Sequence, residues 1–382
     1  MSEDARKLFQ VALVGVFIAF AVIGTLFLAT NRSNVARGGD EPITIWGPPL
    51  FTMEGRNVIA MLENDNESVF QNVEYVTKHP DTLYPDLLEA IATDRSPDIV
   101  LYDAGMLLSL RDKLYQISYE TYPVRTFRDT FVEGAEVFMM QSGIYGLPLF
   151  VDPLVLYWNR NKFTDAALAQ VPREWDTFVS VVPQLTVIAD GATITRSGVA
   201  FGEYDNVRHA KEILSALIMQ TGNALVRETE SGYVSVLEEM QSAALGPAVA
   251  LRFYTDFANP VKTVYSWNKT FPDSRDAFAA GGVAMYFGFA SEARLLIDIN
   301  PNLNFDMALL PQSATGVHQA TYGTFYAGSV LKTSRYPERA FAVLRELTAP
   351  AAAARLAEYS DLAPVRRDML VVDPADPRSD IM

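Results

Sequence analysis

The sequence predicts an α/β fold in two lobes joined by a crossing strand, preceded by a transmembrane helix. Three observations carry this. Strands and helices alternate between Ile43 and Tyr102, which is the signature of a parallel sheet. A proline-broken apolar run, GIYGLPLFVDPLVLYWNRNKF, spans Gly143 to Phe163. Further strands at Val283–Phe287, Phe305–Leu310 and Phe325–Leu331 then bring the chain back.

Leu8 to Thr30 contains no charged side chain and as a helix reaches roughly 34 Å, enough to cross a hydrocarbon core. Leu28-Ala29-Thr30 is a poor cleavage site, so an uncleaved anchor is favoured over a removed signal. Arg6 and Lys7 before the span balance Arg32 and Arg37 after it, and the positive-inside rule scarcely discriminates. The arrangement expected is a short cytoplasmic tail with the large domain on the extracytoplasmic side of the cell membrane. Asn31 to Glu41 reads as a polar linker.

Ile43 to Trp46 is the first strand, stopped by Gly47-Pro48-Pro49, and a helix follows over Glu54 to Leu62. Val73–Val76 is the second strand. Leu83, Leu87, Leu88 and Ile91 recur at helical spacing, and Pro97 turns the chain into the strand Asp98–Tyr102. In the Gly143–Phe163 run, Leu154, Val155 and Leu156 do not alternate, which suits a strand buried on both faces. Pro148 and Pro153 each remove a ladder donor, so the segment is not expected to be a regular central strand. A buried, proline-broken strand carrying a lone acid, Asp152, suits a crossing between lobes. Helices follow at Trp175–Leu185, Asn206–Gln220 (Asn206 as N-cap, Gly222 as stop), Pro247–Phe257, Asp276–Ala280, Ser291–Ile299 and Glu338–Leu347.

Composition narrows the function. With 382 residues, 49% hydrophobic, the chain is long enough for a sizeable core and two lobes. The net charge of -15, from 46 acids against 31 bases, disfavours nucleic-acid binding. The lack of cysteine excludes disulfides, thiolate metal sites and a cysteine nucleophile. His79, His209 and His318 show no metal-ligand spacing, and no cofactor or metal is predicted. There is no nucleophile elbow, zinc helix, phosphate loop or dinucleotide fingerprint, so the chain is not expected to be an enzyme.

The landmarks ITIW, SPDIVLYDAGMLLSL, GIYGLPLFVDPLVLYWNRNKF, VPREWDTF, DAFAAGGVAMYFGFASEARLL, NFDMALLPQ and YAGSVLKTSRYPERAFAVLREL follow in order. Together they resemble the extracellular solute-binding proteins of ABC importers, maltose-binding-like branch (family 1 type), over about residues 43 to 370. The resemblance implies a two-lobed periplasmic-binding-protein-like fold (type II) with crossing hinge strands. It implies lobe 1 at 42–150 plus 324–382 and lobe 2 at 151–323; the anchor and linker read at 1–41 depart from the family, whose members usually anchor through a lipid-bearing cysteine or float free in the periplasm. It further implies capture of a small-molecule solute, a sugar or oligosaccharide, for presentation to ABC permease subunits, with no catalytic residue. Peptides, polyamines and glycerol phosphates remain open. Two alternatives also stand: a tethered sensor or adhesin domain without a transporter, or a glycoside-acting enzyme using a pair such as Asp103 and Asp152. The family's later helices, which often supply an aromatic contact, begin after the position matching Val372, and this chain stops at Met382.

Six residues are the candidate ligand contacts. Carried over by motif, Asp152 is the acid on the crossing strand, either a hydroxyl acceptor or a cap on hinge backbone. Trp46 and Asp103 fall at the carboxyl ends of strands, where ligands of open sheets sit. Trp46 offers a stacking face; Asp103 either meets solute or forms the turn before Gly105. Phe287 and Phe289 flank Gly288, one expected in the cleft and the other in the core, with Gly288 admitting a close backbone approach. Tyr322, before the return strand, combines a ring with a hydroxyl. The backbone N–H groups near Ser291 are further donors for a solute. Trp158 is read as core, Trp175 as structural, and Trp267 is left unassigned.

Overall fold

A parallel sheet forms first. β1 (Ile43–Gly47), β2 (Val73–Thr77) and β3 (Ile99–Asp103) pair in the order β2-β1-β3, with α1 (Gly55–Asp65) and α2 (Pro80–Ala92) as the crossovers. Residue parity explains how the sheet is covered on both faces. Ile99 and Leu101 join α1's Val58, Ile59 and Leu62 in one apolar cluster, while Val100 and Tyr102 join α2's Leu83 and Leu87 in another. Pro80 opens α2, where its missing N–H breaks no helical bond. This computed structural model describes residues 41–370 except 53, 191–192, 230–231, 239–245 and 315–318. The span predicted at 8–30 lies outside the described residues, among which no helix is long and apolar enough to cross a membrane.

Apart from a short antiparallel pair, Met139–Met140 with Gly143–Ile144, the remaining strands are β4 (Leu147–Asn159), β5 (Val187–Ala189), β6 (Thr193–Val199), β7 (Val226–Thr229), β8 (Gly232–Ser235), β9 (Val283–Phe289), β10 (Phe305–Ala308), β11 (Gly323–Val330) and β12 (Ala363–Pro364). Further helices include α3 (Trp175–Leu185), α4 (Ala210–Gln220), α5 (Pro247–Asp256), α6 (Ser274–Ala279), α7 (Glu292–Ile299), α8 (Pro337–Leu347) and α9 (Pro350–Glu358). The main sheet runs β2-β1-β3-β11-β4-β9-β6-β5, with β10 and β12 also on β4.

β4 belongs to both lobes. From Leu147 to Pro153 it pairs with β11, and from Leu154 to Trp158 with β9. The strand is thus central and continuous over 13 residues, which corrects the expectation drawn from its prolines. They are tolerated because each sits where the ladder is already interrupted. Pro148 flanks a bulge, since Tyr326 faces Phe150 and Ala327 faces Pro148, leaving Leu149 unmatched; Pro153 is the last residue before the change of partner. The hydrophobic clusters separate at the same place: one runs from Leu154 to Leu310, and the others draw on residues before Leu154 and after Leu310.

Two smaller corrections concern the second lobe. Asn206 does not cap α4, whose N-cap is His209. Its amide instead donates to the carbonyls of Asn268 and Phe271 and accepts the Trp267 indole N–H. Trp267 is thereby placed: it is fully buried and stacked on Phe271, with ring centroids 4.3 Å apart. Gly222 does follow the end of α4 at φ 80°, the left-handed position that favours glycine.

The return strand β11 packs against α8 at a glycine. A Cβ on Gly328 would stand 2.4 Å from Leu344 Cδ1 and 2.9 Å from Leu101 Cδ2, both in the apolar core. Gly328→Ala is therefore expected to destabilise the protein by about 1–3 kcal/mol, read as a lowered urea midpoint with unchanged slope.

Candidate functional site

The crossing strand delivers Asp152 to the lobe junction, opposite Thr324 of β11, where it is only 6% exposed. Its Oδ1 accepts the Ser291 backbone N–H at 3.1 Å and its Oδ2 the Ser291 hydroxyl at 2.6 Å. Of its two sequence readings, the contacts in hand are those of the cap: the acid closes the N-terminus of α7. Each carboxylate oxygen retains a second acceptor site for another donor. Burial pushes the carboxyl up to about 6, against the pull of the two Ser291 hydrogen bonds.

Glu292 lies beside it. Its carboxylate accepts His209 Nε2, the Tyr286 hydroxyl at 2.8 Å and the Phe289 N–H at 3.2 Å, with Arg275 Nη1 4.0 Å away. Burial raises this carboxyl too. The His209 hydrogen bond and charge, the Tyr286 hydroxyl and the Phe289 amide outweigh burial and hold it below its ordinary value. The N–H groups of Phe289 and Ser291 are therefore already taken by acids, which corrects their reading as solute donors.

The aromatic pair divides unevenly. Phe287 is 1% exposed, stacked on Trp175 (6.1 Å) and packed on Phe178 (5.8 Å) and Phe201 (5.2 Å). It belongs to the second lobe's core and leaves the candidate set. Phe289 is half-buried, 4.8 Å from the His209 ring and 6.3 Å from the Tyr322 ring. Gly288 also has a different reason from the one expected. A Cβ there would come within 2.5 Å of Tyr286 Cε1, so the glycine makes room for a buried tyrosine. Trp175 is structural in the sense expected, its indole N–H bonded to Gln220 Oε1 at 2.6 Å.

Across the junction, Asp103 and Tyr326 are partners in the β3–β11 ladder. Asp103 Oδ1 accepts the Gly105 N–H at 2.8 Å, the turn role foreseen as its alternative. Burial raises the Tyr326 hydroxyl first, and the charges of Asp152 and Asp103 add to it. The Tyr322 hydroxyl is raised by burial, lowered by Lys211, then raised by Glu212 and Asp103. Asp103, Asp152, Phe289 and Tyr322 thus share one junction with Tyr326, from the same sequence run as Tyr322, and with His209, Lys211 and Glu212, which sequence reasoning did not single out. Trp46 stands at the same edge of the sheet, but Lys78 Nζ lies 3.9 Å from its ring centroid and is held by Asp86 at 3.2 Å. One face of the indole is therefore covered.

Farther out, the β7–β8 hairpin of the second lobe approaches the first. Tyr119 is raised by burial and then by the Glu228 carboxylate, and the Tyr233 hydroxyl is raised by burial and Glu228 against the pull of Arg111. Among the described residues no group of His, Asp and Glu side chains could hold a metal ion.

A family model described as bacterial extracellular solute-binding protein matches residues 58–378. A putative binding protein of Brucella abortus (strain 2308) is 22% identical over 318 residues, covering 81% of this chain and 72% of that one. Among solved structures, a cyclo/maltodextrin-binding protein complexed with maltotetraose aligns with a TM-score of 0.68 at 17% identity, over 89% of this chain and 84% of that one. UgpB from Mycobacterium tuberculosis, in complex with glycerophosphocholine, aligns with a TM-score of 0.66 at 18% identity, over 90% and 85%. At these identities the structures establish the two-lobed fold.

The raised carboxyl of Asp152 gives stability a definite pH dependence. Because the folded value, about 6, lies above the ordinary 3.8, this group's contribution is fully present below pH 3.8 and is lost as pH rises through about 6. Urea unfolding of the wild type and Asp152→Asn at pH 4.5 and 7.5 tests this. The variant should gain about 2 kcal/mol relative to wild type between the two pH values. An equal difference at both would show that Asp152 does not titrate in this window.

Proposed function

The chain belongs to the bacterial extracellular solute-binding proteins, and from that premise we propose that it captures a neutral, hydroxyl-rich solute, a sugar or oligosaccharide, between its lobes and presents it to an ABC permease. The observation that carries the choice of solute is the pairing of charge at the junction. Lys78 is held by Asp86 at 3.2 Å and Lys211 by Glu212 at 3.1 Å. An anionic solute would have to break one of these pairs. A polyol needs acceptors and ring faces, and Asp103, Asp152, Phe289, Tyr322 and Tyr326 supply both.

We divide the lobes at 150/151 on β4 and 323/324 at the start of β11, with closure as a rotation about these crossings. Solute would act by its greater affinity for the closed form. The reading is of a binder: Asp103 and Asp152, the pair a glycoside hydrolase would require, each cap a backbone N–H. Residues 8–30 are assigned as a single-pass anchor that leaves the domain on the extracytoplasmic side, on the strength of their uncharged sequence.

Two experiments test these assignments. Calorimetry with maltotetraose should show saturable binding without turnover. Tyr322→Ala and Asp103→Ala should each weaken it about tenfold, or about 1.4 kcal/mol. Thermal stabilisation by glycerol 3-phosphate, but by none of a panel of neutral sugars, would overturn the charge argument. In cell fractionation, the full chain should sediment with membranes and resist salt extraction, whereas residues 41–382 behind a cleavable leader should not. Release of both would remove the anchor.

A further inference from the structure

Glu292 and His209 form a buried hydrogen-bonded pair behind Phe289. The carboxylate, at the first position of α7, has one oxygen that accepts two donors: Oε1 takes the Phe289 backbone N–H and His209 Nε2. The His209 ring then meets the Phe289 ring edge to face, with centroids 4.8 Å apart and planes 75° apart. A single carboxylate oxygen therefore holds Phe289 twice, directly through its backbone and indirectly through the imidazole packed on its ring. His209 also stands at the N-cap position of α4, without a side-chain cap hydrogen bond, and that helix carries Lys211 and Glu212, which act electrostatically on Tyr322, the other ring beside Phe289.

Stability alone does not account for the pair. A buried polar pair typically adds little over well-packed apolar side chains, because desolvation offsets the attraction. Side-chain exposure is 14% for His209 and 10% for Glu292, so both have lost most of their water. What such a pair gives in return is fixed geometry, and the group it fixes is Phe289.

We propose that His209 and Glu292 are positioning residues: they fix the Phe289 ring in the wall of the lobe junction and so set solute affinity without touching the solute. The affinity part rests on the solute-binding reading above; the placement of the ring does not.

The experiment separates the two. 4-Fluorophenylalanine is placed at position 289 of the full chain, and 19F spectra are recorded with His209 intact, with His209→Ala and with His209→Gln. Glutamine keeps an N–H donor for Glu292 but has no ring. The parent should give one narrow resonance, His209→Ala a shifted and broadened one, and His209→Gln an intermediate. In parallel, maltotetraose titrations should show His209→Ala binding about tenfold more weakly, Phe289→Ala at least as weakly, and the double variant no more weakly than Phe289→Ala alone. An unchanged resonance in folded His209→Ala or His209→Gln protein overturns the proposal. So do additive losses in the double variant, since His209 would then act through a contact of its own. If the parent binds no maltotetraose, the solute reading fails while the 19F comparison still decides the positioning. If His209→Ala does not fold, His209→Gln and Glu292→Gln carry the same comparison.

Discussion

The structure depends on one constraint: a single strand has to satisfy two ladders. β4 changes partners between Pro153 and Leu154, and the apolar cores part company at the same residue. At the change-over the backbone is braced from outside the strand. Leu154 N–H donates to the Tyr322 carbonyl at 2.8 Å, Ala290 N–H donates to the Pro153 carbonyl at 2.9 Å, and the Thr321 hydroxyl donates to the Leu154 carbonyl at 2.9 Å. The Tyr157 hydroxyl adds bonds to the carbonyls of Phe289 and Ala290 at 2.7 and 3.0 Å. Any rotation of one lobe on the other must turn on this short segment, so the residues touching it are those that can couple solute to shape.

Two buried acids sit at that segment, and their carboxyls shift in opposite directions. Asp152 has two donors, both from one serine, and neither carries a charge. Burial therefore wins and its carboxyl rises. Glu292 has an imidazole, a phenol and an amide on its oxygens and a guanidinium nearby. There the donors win and it stays ionised. The adjacent negative charge of Glu292 also helps to raise Asp152, so the shifts are linked as well as opposed. An acid retained at a stability cost beside one held firmly ionised fits a junction whose groups are arranged for recognition rather than for stability.

The parts of this arrangement legible in the sequence were those set by neighbours along the chain. Period and punctuation fixed β1, β2, β3 and their crossover helices, because parity decides which face of a strand is covered, Pro97 marks the turn into β3 and Gly222 marks a helix end locally. The junction itself was legible as a place, from the prolines and the lone acid of β4. Its contacts were not, because they join distant residues: Asp152 to Ser291, His209 to Glu292, Lys78 to Trp46. Phe287 and Phe289 show the limit most clearly. Two residues apart, they share a face in a regular strand, but β9 ends at Phe289, and only the packing of Trp175, Phe178 and Phe201 settles which ring is enclosed.

Charge acts on the solute at two ranges here, and both point the same way. At long range a chain of net charge -15 repels anions and gives neutral molecules no steering. At short range Lys78 and Lys211 are already paired with Asp86 and Glu212, so an anion has to displace one of these carboxylates. A neutral polyol meets neither penalty, but it also gains nothing until it reaches the rings and the spare acceptor sites on Asp103 and Asp152. Its affinity then depends on how well those groups are already placed, because ordering them on binding subtracts directly from the gain. That is why the fixed position of Phe289 bears on function: in a cleft without electrostatic attraction, pre-arranged geometry is the main source of binding energy left.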